Sequence, residues 1–318
     1  MIGVAHPTID RGGLVDTDLD TLATALYVKI DDELKMRPEL ARYRPEVGLC
    51  PKLSDAELIT LAVIQALVGF SSETRFLRHA SVHLRHLFPY VPGQSGYNKR
   101  LRRAGSQLRA VLRLLSLETE TWFDDTWLVD STPVECGRSR ETAKRSDLVG
   151  VASYGYCASH SRYFWGLRLH LVCTPAGLPV AFALTGAKDD EREVLRDLFE
   201  TEPGLLDNRP GQTILADKGY RSAEFETFLS EHGARLIRPA MAGEKPPSGA
   251  RFLKPLRQII ESINDTLKGQ LDLERHGGRT WTGVQTRVLQ RLLALTAAIW
   301  HNEQLGRRPV RSLLAYDH

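Results

Sequence analysis

The order of elements along the sequence predicts an α/β protein, a mixed sheet with flanking helices that follows an all-helical N-terminal region. Three observations predict it. Up to about residue 120 the apolar residues recur at helical spacing, between short breaks of Pro, Gly and Ser. Near Trp122 the texture changes to short apolar runs that read as strands. Three such runs come first, and from about residue 190 they alternate with helical segments, as strands of a mixed sheet do when helices join them.

Composition excludes several classes. The 318 residues are 42% hydrophobic and 25% charged, values of an ordinary globular protein with a sizeable core. No stretch approaches the roughly 20 apolar residues of a membrane span, and the N-terminus lacks the charged-then-apolar form of a signal peptide. Cys50, Cys136, Cys157 and Cys173 are too few and scattered for a disulfide framework, so a reducing cytoplasm is expected. A net charge of +3 says little about partners, but its distribution says more. Between Val91 and Leu117 there is no acidic residue, while Lys99, Arg100, Arg102, Arg103, Arg109 and Arg113 all fall there. Such a helix is a candidate phosphate-binding surface, with a solvated helix face as the plain alternative.

The segments follow in order. Residues 1–16 have no clear period, and Thr17 can cap a helix whose stripe is Leu19, Leu22, Leu26 and Ile30. Residues 36–52 carry three prolines and read as a loop. Ser54-Asp55-Ala56-Glu57 matches a capping box ahead of an apolar helix to about Val68. Gly69 closes it, and Ser71 or Ser72 can cap the next, to about Leu87. Ser95 can cap one long basic helix buried through Leu101, Leu108, Val111, Leu112 and Leu115. Helix, short turn and basic helix suit a DNA-reading module as well as a plain bundle.

Trp127 to Val134 then reads as a buried strand with Asp130 in its middle. A polar, basic stretch, 137–163, follows. Trp165 to Cys173 and Leu178 to Leu184 form a hairpin about a Pro-Ala-Gly turn, and Asp189-Asp190-Glu191 opens a helix to Phe199. A strand from Ile214 ends on Asp217, a helix starts at Ser222, and Arg235 to Ile237 is a last short strand. Pro255 starts a helix with stripe Leu256, Ile259, Ile260, Ile263 and Leu267, and Thr282 one reaching about Asn302. This is the element order of the ribonuclease H-like fold. It divides the chain into 1–120, 121–306 with the insertion at 137–163, and a tail at 307–318.

In that order the first and fourth strands are neighbours, and Asp130 and Asp217 face each other. On the late helix Arg257, Glu261, Asn264 and Lys268 recur at i, i+4, i+7 and i+11, a polar stripe whose acidic member is Glu261. Three carboxylates in one place repel unless cations lie between them. Hard oxygen ligands suit two Mg²⁺ or Mn²⁺ ions, which can clamp the attacking and leaving oxygens of a phosphodiester. Singly, each residue has a plainer reading: a cap, a strand-end turn, a surface partner of Arg257.

The sequence resembles the DDE transposases of bacterial insertion sequences. The resemblance rests on Val129-Asp130-Ser131-Thr132, Leu215-Ala216-Asp217-Lys218-Gly219-Tyr220, and Arg257, Glu261 and Lys268 at the family spacing, and covers about residues 122–305. It implies Asp130, Asp217 and Glu261 as catalytic metal ligands, Arg257 and Lys268 as DNA contacts, and Mg²⁺ or Mn²⁺ as cofactor. It also implies cleavage at terminal inverted repeats, joining of the 3′ ends to target DNA, and a homodimer that synapses two ends at the nucleoid. Two features depart from relatives: Lys254 stands where many have Tyr, and only a short loop, Arg238 to Lys254, precedes the helix where some insert a β-rich subdomain. The alternatives are a structure-specific nuclease or resolvase on the same fold, and a non-catalytic DNA-binding derivative.

Other residues invite competing readings. Cys157, His160, His170 and Cys173 look like a zinc set, but His170 and Cys173 are three apart on a strand and so point to opposite faces. Asp189, Asp190 and Glu191 fit N-terminal capping better than metal binding. Tyr154 and Trp165 could stack on an unpaired base, although a Trp at a strand start is commonly core.

Overall fold

The computed structural model describes residues 12–40, 50–157, 161–241, 243–244, 253–307, 313 and 316, with the backbone alone at 12–17, 254 and 256. Helix α1 (Gly12–Met36) buries the expected stripe of Leu19, Leu22, Leu26 and Ile30, but it begins at Gly12, so Thr17 lies within it and does not cap it. Helix α2 (Asp55–Leu67) has the full capping box: Ser54 Oγ accepts from the Glu57 N–H at 3.0 Å, and Glu57 accepts from the Ser54 N–H. Ser72 caps α3 (Glu73–His83), which ends four residues short of Leu87.

The single basic helix expected from Ser95 is two, α4 (Gln94–Arg103) and α5 (Gly105–Leu117), broken at Ala104. Gly93, which has no side chain to offer, holds the N-cap position. Gly105 lowers helix propensity there, and the break lets Tyr97 and Leu101 of one helix and Leu108, Val111, Leu112 and Leu115 of the other all enter the core.

The break also sorts the cations. Lys99, Arg102, Arg103 and Arg109 are exposed. Arg100 turns inward, donating to the carbonyls of Leu53 (2.6 Å) and Ser54 (3.3 Å) and to the Asp55 carboxylate (2.7 Å). Charge on the solvent side is therefore smaller than the sequence suggests, and Arg100 ties α4 to the start of α2. Arg100→Ala should lower stability by about 2–3 kcal/mol, since it takes the cation away from a buried carboxylate. Urea denaturation checks this, and a variant as stable as wild type would refute it.

The sheet contains six described strands: β1 (Thr126–Gly137), β2 (Ser153–Cys157), β3 (Arg162–Cys173), β4 (Pro179–Gly186), β5 (Thr213–Leu215) and β6 (Arg235–Ile237). β3 lies antiparallel to β1 along one edge, and its other edge is shared by β2 and β4. β5 runs parallel to β1 and β6 parallel to β5. The protein is thus α/β with a mixed sheet, preceded by a helical region, as expected. The insertion at 137–163 is not plain loop: it forms α6 (Arg140–Arg145) and β2.

Asp190 caps α7 (Glu191–Thr201), which with the short α8 (Gly204–Asp207) connects β4 to β5. Ser222 caps α9 (Ala223–Glu231), which connects β5 to β6. Helix α10 (Leu253–Asp265) lies against β1 and opens into a π turn, Thr266–Gln270. Helix α11 (Trp281–Gln304) is buried nearly all round, because it packs on α1, α2, α4 and α5. One apolar core consequently runs from α1 through the sheet to α11. Among the described residues no helix is long and apolar enough to cross a membrane.

Candidate active site

β1 and β5 are neighbours in register, with Leu128 opposite Leu215, so two residues further on Asp217 comes level with Asp130. β5 itself stops at Leu215. Asp217 begins a 3-10 turn (Lys218–Tyr220), and its Oδ1 accepts from the Gly219 N–H at 2.7 Å. The strand-end turn reading of this residue is therefore met. Asp217 stays exposed while Tyr220, three residues on, is fully buried.

Asp130 is held from two sides. Its Oδ1 accepts from the Ser131 N–H and its Oδ2 from Asn264 Nδ2 of α10, each at 2.8 Å. Burial pushes its pKa up to about 7, against the lowering by the Ser131 N–H bond, and the nearby charges of Glu191 and Asp217 push the same way. Its neutral form therefore persists up to about pH 7 in the absence of a cation. Each oxygen keeps a lone pair after these bonds.

Two further groups join the cluster. Glu191, in the first turn of α7, accepts from Ser131 Oγ at 2.6 Å and pairs with Arg168 of β3. The Tyr220 hydroxyl is buried with no hydrogen-bond partner among the described residues. Burial raises its pKa well above the usual value, and Glu191, Asp130 and Asp217 add to the shift, so it stays protonated as a donor beside three carboxylates.

Glu261 is not gathered in. Its side chain is 59% exposed and pairs with Arg257, itself 65% exposed, at 3.1 Å. Asn264, one turn later on the same face, is the member of the polar stripe that reaches Asp130. Among the described residues no three His, Cys, Asp or Glu side chains stand close enough to share a metal ion. Lys268 was expected at the end of a continuous α-helical stripe. It lies instead on the π turn, half-buried, where the wider winding carries it off that line.

Among the described residues the zinc set does not assemble. His170 is buried against Thr185 Oγ1 at 2.9 Å, Cys173 is buried beside the Leu128 carbonyl, and His160 lies outside the described residues. Trp165 is core and Tyr154 is exposed. Asp190 is the helix cap, and Asp189 accepts from the Gly186 N–H at 2.9 Å. Lys254 lies in α10, but its side chain is outside the described part.

Sequence reasoning missed Arg168 and the contact made by Asn264, and it set Glu191 aside as a capping residue. Arg168 had a signal, a charge inside an otherwise apolar strand. Glu191 had none beyond its capping position.

A search of curated proteins finds no match to the chain. A family model described as transposase DDE domain matches residues 121–297, which is more than half of the chain and takes in Asp130, Asp217 and Glu261. This family acts on DNA and is in general dependent on divalent metal. On that match the chain belongs to the DDE transposase family.

Proposed function

We propose that the protein is a metal-dependent DNA transposase with a ribonuclease H-like catalytic region, cutting at transposon ends and joining the 3′-hydroxyl to target DNA. The observation that carries this is the register of β1 with β5, which sets Asp130 level with Asp217 beneath the helix bearing Glu261.

The donor set fits hard divalent cations: oxygen ligands only, with Asp130 driven towards neutrality by burial and by the charges of Glu191 and Asp217. Asp130, Asp217 and Glu261 would hold Mg²⁺ or Mn²⁺, which supplies charge neutralisation at the scissile phosphate and an activated oxygen nucleophile. Asn264 fixes the direction of the Asp130 carboxylate, and the Asp217 turn fixes the other. An exposed i,i+4 ion pair such as Arg257–Glu261 is worth only about 0.3–0.5 kcal/mol. Approaching phosphate and cations therefore separate it, sending Arg257 to the DNA backbone and Glu261 inward. Lys268, Lys99, Arg102 and Arg103 supply further positive charge for phosphates. A homodimer holds the two ends together.

The test is cleavage and joining of labelled duplexes carrying any inverted repeats found to flank the coding sequence. The wild type should nick and join with Mg²⁺ or Mn²⁺ and not with chelator. Glu261→Ala should lose both steps while binding end DNA as before. Cleavage without joining would indicate a nuclease, and binding without cleavage a non-catalytic derivative. Full activity of Glu261→Ala would remove that residue from the site.

A further inference from the structure

We propose that Glu191 is a positioning residue for Asp130, acting through Ser131 and Arg168 from the opposite face of the sheet. The inference rests on the site reading above and adds a supporting layer to it.

Successive residues of a strand point to opposite faces. Asp130 faces α10, where Asn264 meets it. Ser131 therefore faces α7, where its Oγ donates to Glu191 Oε1 at 2.6 Å and accepts from Arg168 Nη1 at 3.0 Å. Arg168 also bonds that same Glu191 oxygen, and through Nη2 it donates to the Tyr156 carbonyl of β2 at 3.2 Å. The hydroxyl thus uses its one proton and accepts one bond, which fixes its rotamer. Fixing Ser131 fixes the backbone that aims Asp130, whose Oδ1 is bonded to the Ser131 N–H itself.

The base of this clamp is anchored as well. Asp190 caps α7 just before Glu191, and Arg192 just after it donates to the Arg221 carbonyl at 3.0 Å, next to buried Tyr220. The strand bearing Asp130 and the turn bearing Asp217 are therefore joined through the start of α7. Partners that orient metal ligands from behind change metal affinity or activity by about 10–100-fold when removed. A carboxylate serving packing alone would change only stability.

The experiment uses the full chain and reads Mn²⁺ binding by electron paramagnetic resonance without DNA, together with kcat and KM for end cleavage and Tm. Glu191→Gln should weaken Mn²⁺ binding and lower kcat, each by about 10-fold or more, with KM for DNA unchanged. Ser131→Ala removes the same bond without breaking the ion pair, so it keeps the test valid if Glu191→Gln misfolds, and it should give the same pattern. Ser131→Thr, which keeps the hydroxyl, should restore wild-type binding. The double variant should be no worse than the poorer single one, as expected of groups acting in one chain. Wild-type Mn²⁺ binding and kcat in Glu191→Gln and Ser131→Ala, with only a lower Tm, would overturn the inference. Asp130→Ala serves as the control: if it too binds Mn²⁺ and cleaves as wild type, the site itself is wrong and the inference falls with it.

Discussion

Asp130→Asn should lower metal-dependent cleavage by about 10³-fold or more and, in the same protein, raise the stability of the metal-free fold at pH 8. The two effects have one cause. The carboxylate is carried by folding into a buried place beside Glu191 and Asp217, which moves its pKa from the usual 3.8 up to about 7. A folded-state value above the unfolded one means that ionisation opposes folding. The penalty is fully present above about pH 7, shrinks as pH falls, and is gone by about pH 4. Each pKa unit corresponds to about 1.4 kcal/mol. Because the side chain is partly open to solvent, the expected gain is on the order of 2 kcal/mol at pH 8, fading towards pH 4. Asparagine keeps the shape and carries no charge: its one amide oxygen can accept from the Ser131 N–H, and its NH₂ can donate to Asn264 once that amide is turned over. Denaturation of both proteins with chelator at pH 8 and pH 4.5 measures the difference. Mg²⁺ at pH 8 should stabilise the wild type and not the variant. An Asp130→Asn protein less stable than wild type at pH 8 would show that the carboxylate is not held under penalty.

Glu73→Ala should be among the most destabilising substitutions in the helical region, at about 3–5 kcal/mol. Glu73 opens α3, is 7% exposed, and accepts from Gln94 (2.6 Å) and Asn98 (2.8 Å) of α4. It also pairs with Arg287 of α11, which is 9% exposed and donates to Gln290 at 2.8 Å. Gln290 in turn donates to the Ala62 carbonyl of α2 at 2.7 Å, and Tyr97 donates to Gln65 at 2.9 Å. Removing Glu73 leaves a buried guanidinium without its counter-charge. Replacing both partners with apolar residues, as in Glu73→Leu with Arg287→Met, should recover most of the loss. Thermal denaturation should show Tm falling on the order of 10 °C for the single variant and much less for the double. A single variant within about 1 kcal/mol of wild type would place water or another anion at Arg287.

Residues that act through neighbours in the chain were legible. The capping box at Ser54 and Glu57 forms as written, because both its bonds lie within one turn. The caps at Ser72, Asp190 and Ser222 are equally local. The pairing of β1 with β5 followed from element order, since few sheet topologies connect such a series. Local spacing misled where a long-range partner intervened. The basic run read as one long helix with a candidate phosphate-binding face, yet Arg100 is drawn inward by the carbonyls and carboxylate at the start of α2, and the helix breaks at Ala104. Glu261 and Asn264 stood in one stripe, and nothing in their spacing says which of them meets Asp130.

The sequence by itself therefore determined the α/β class, the helical region before the sheet, the strand bearing Asp130, the strand that leads to Asp217, and the three motifs of the family. These rest on periodicity and on residue types at fixed spacing, which act within a few residues of each other. Only the tertiary structure decided how charge is partitioned around the site. It sent Asn264 to Asp130 and left Glu261 paired with Arg257 at the surface. It brought Glu191 and Arg168 behind Ser131, and it seated α11 among the N-terminal helices through Arg287 and Glu73. The physical reason is the same in each case. Which ionised side chain turns inward depends on the burial and counter-charges offered by segments distant in sequence, and no periodicity along the chain encodes those.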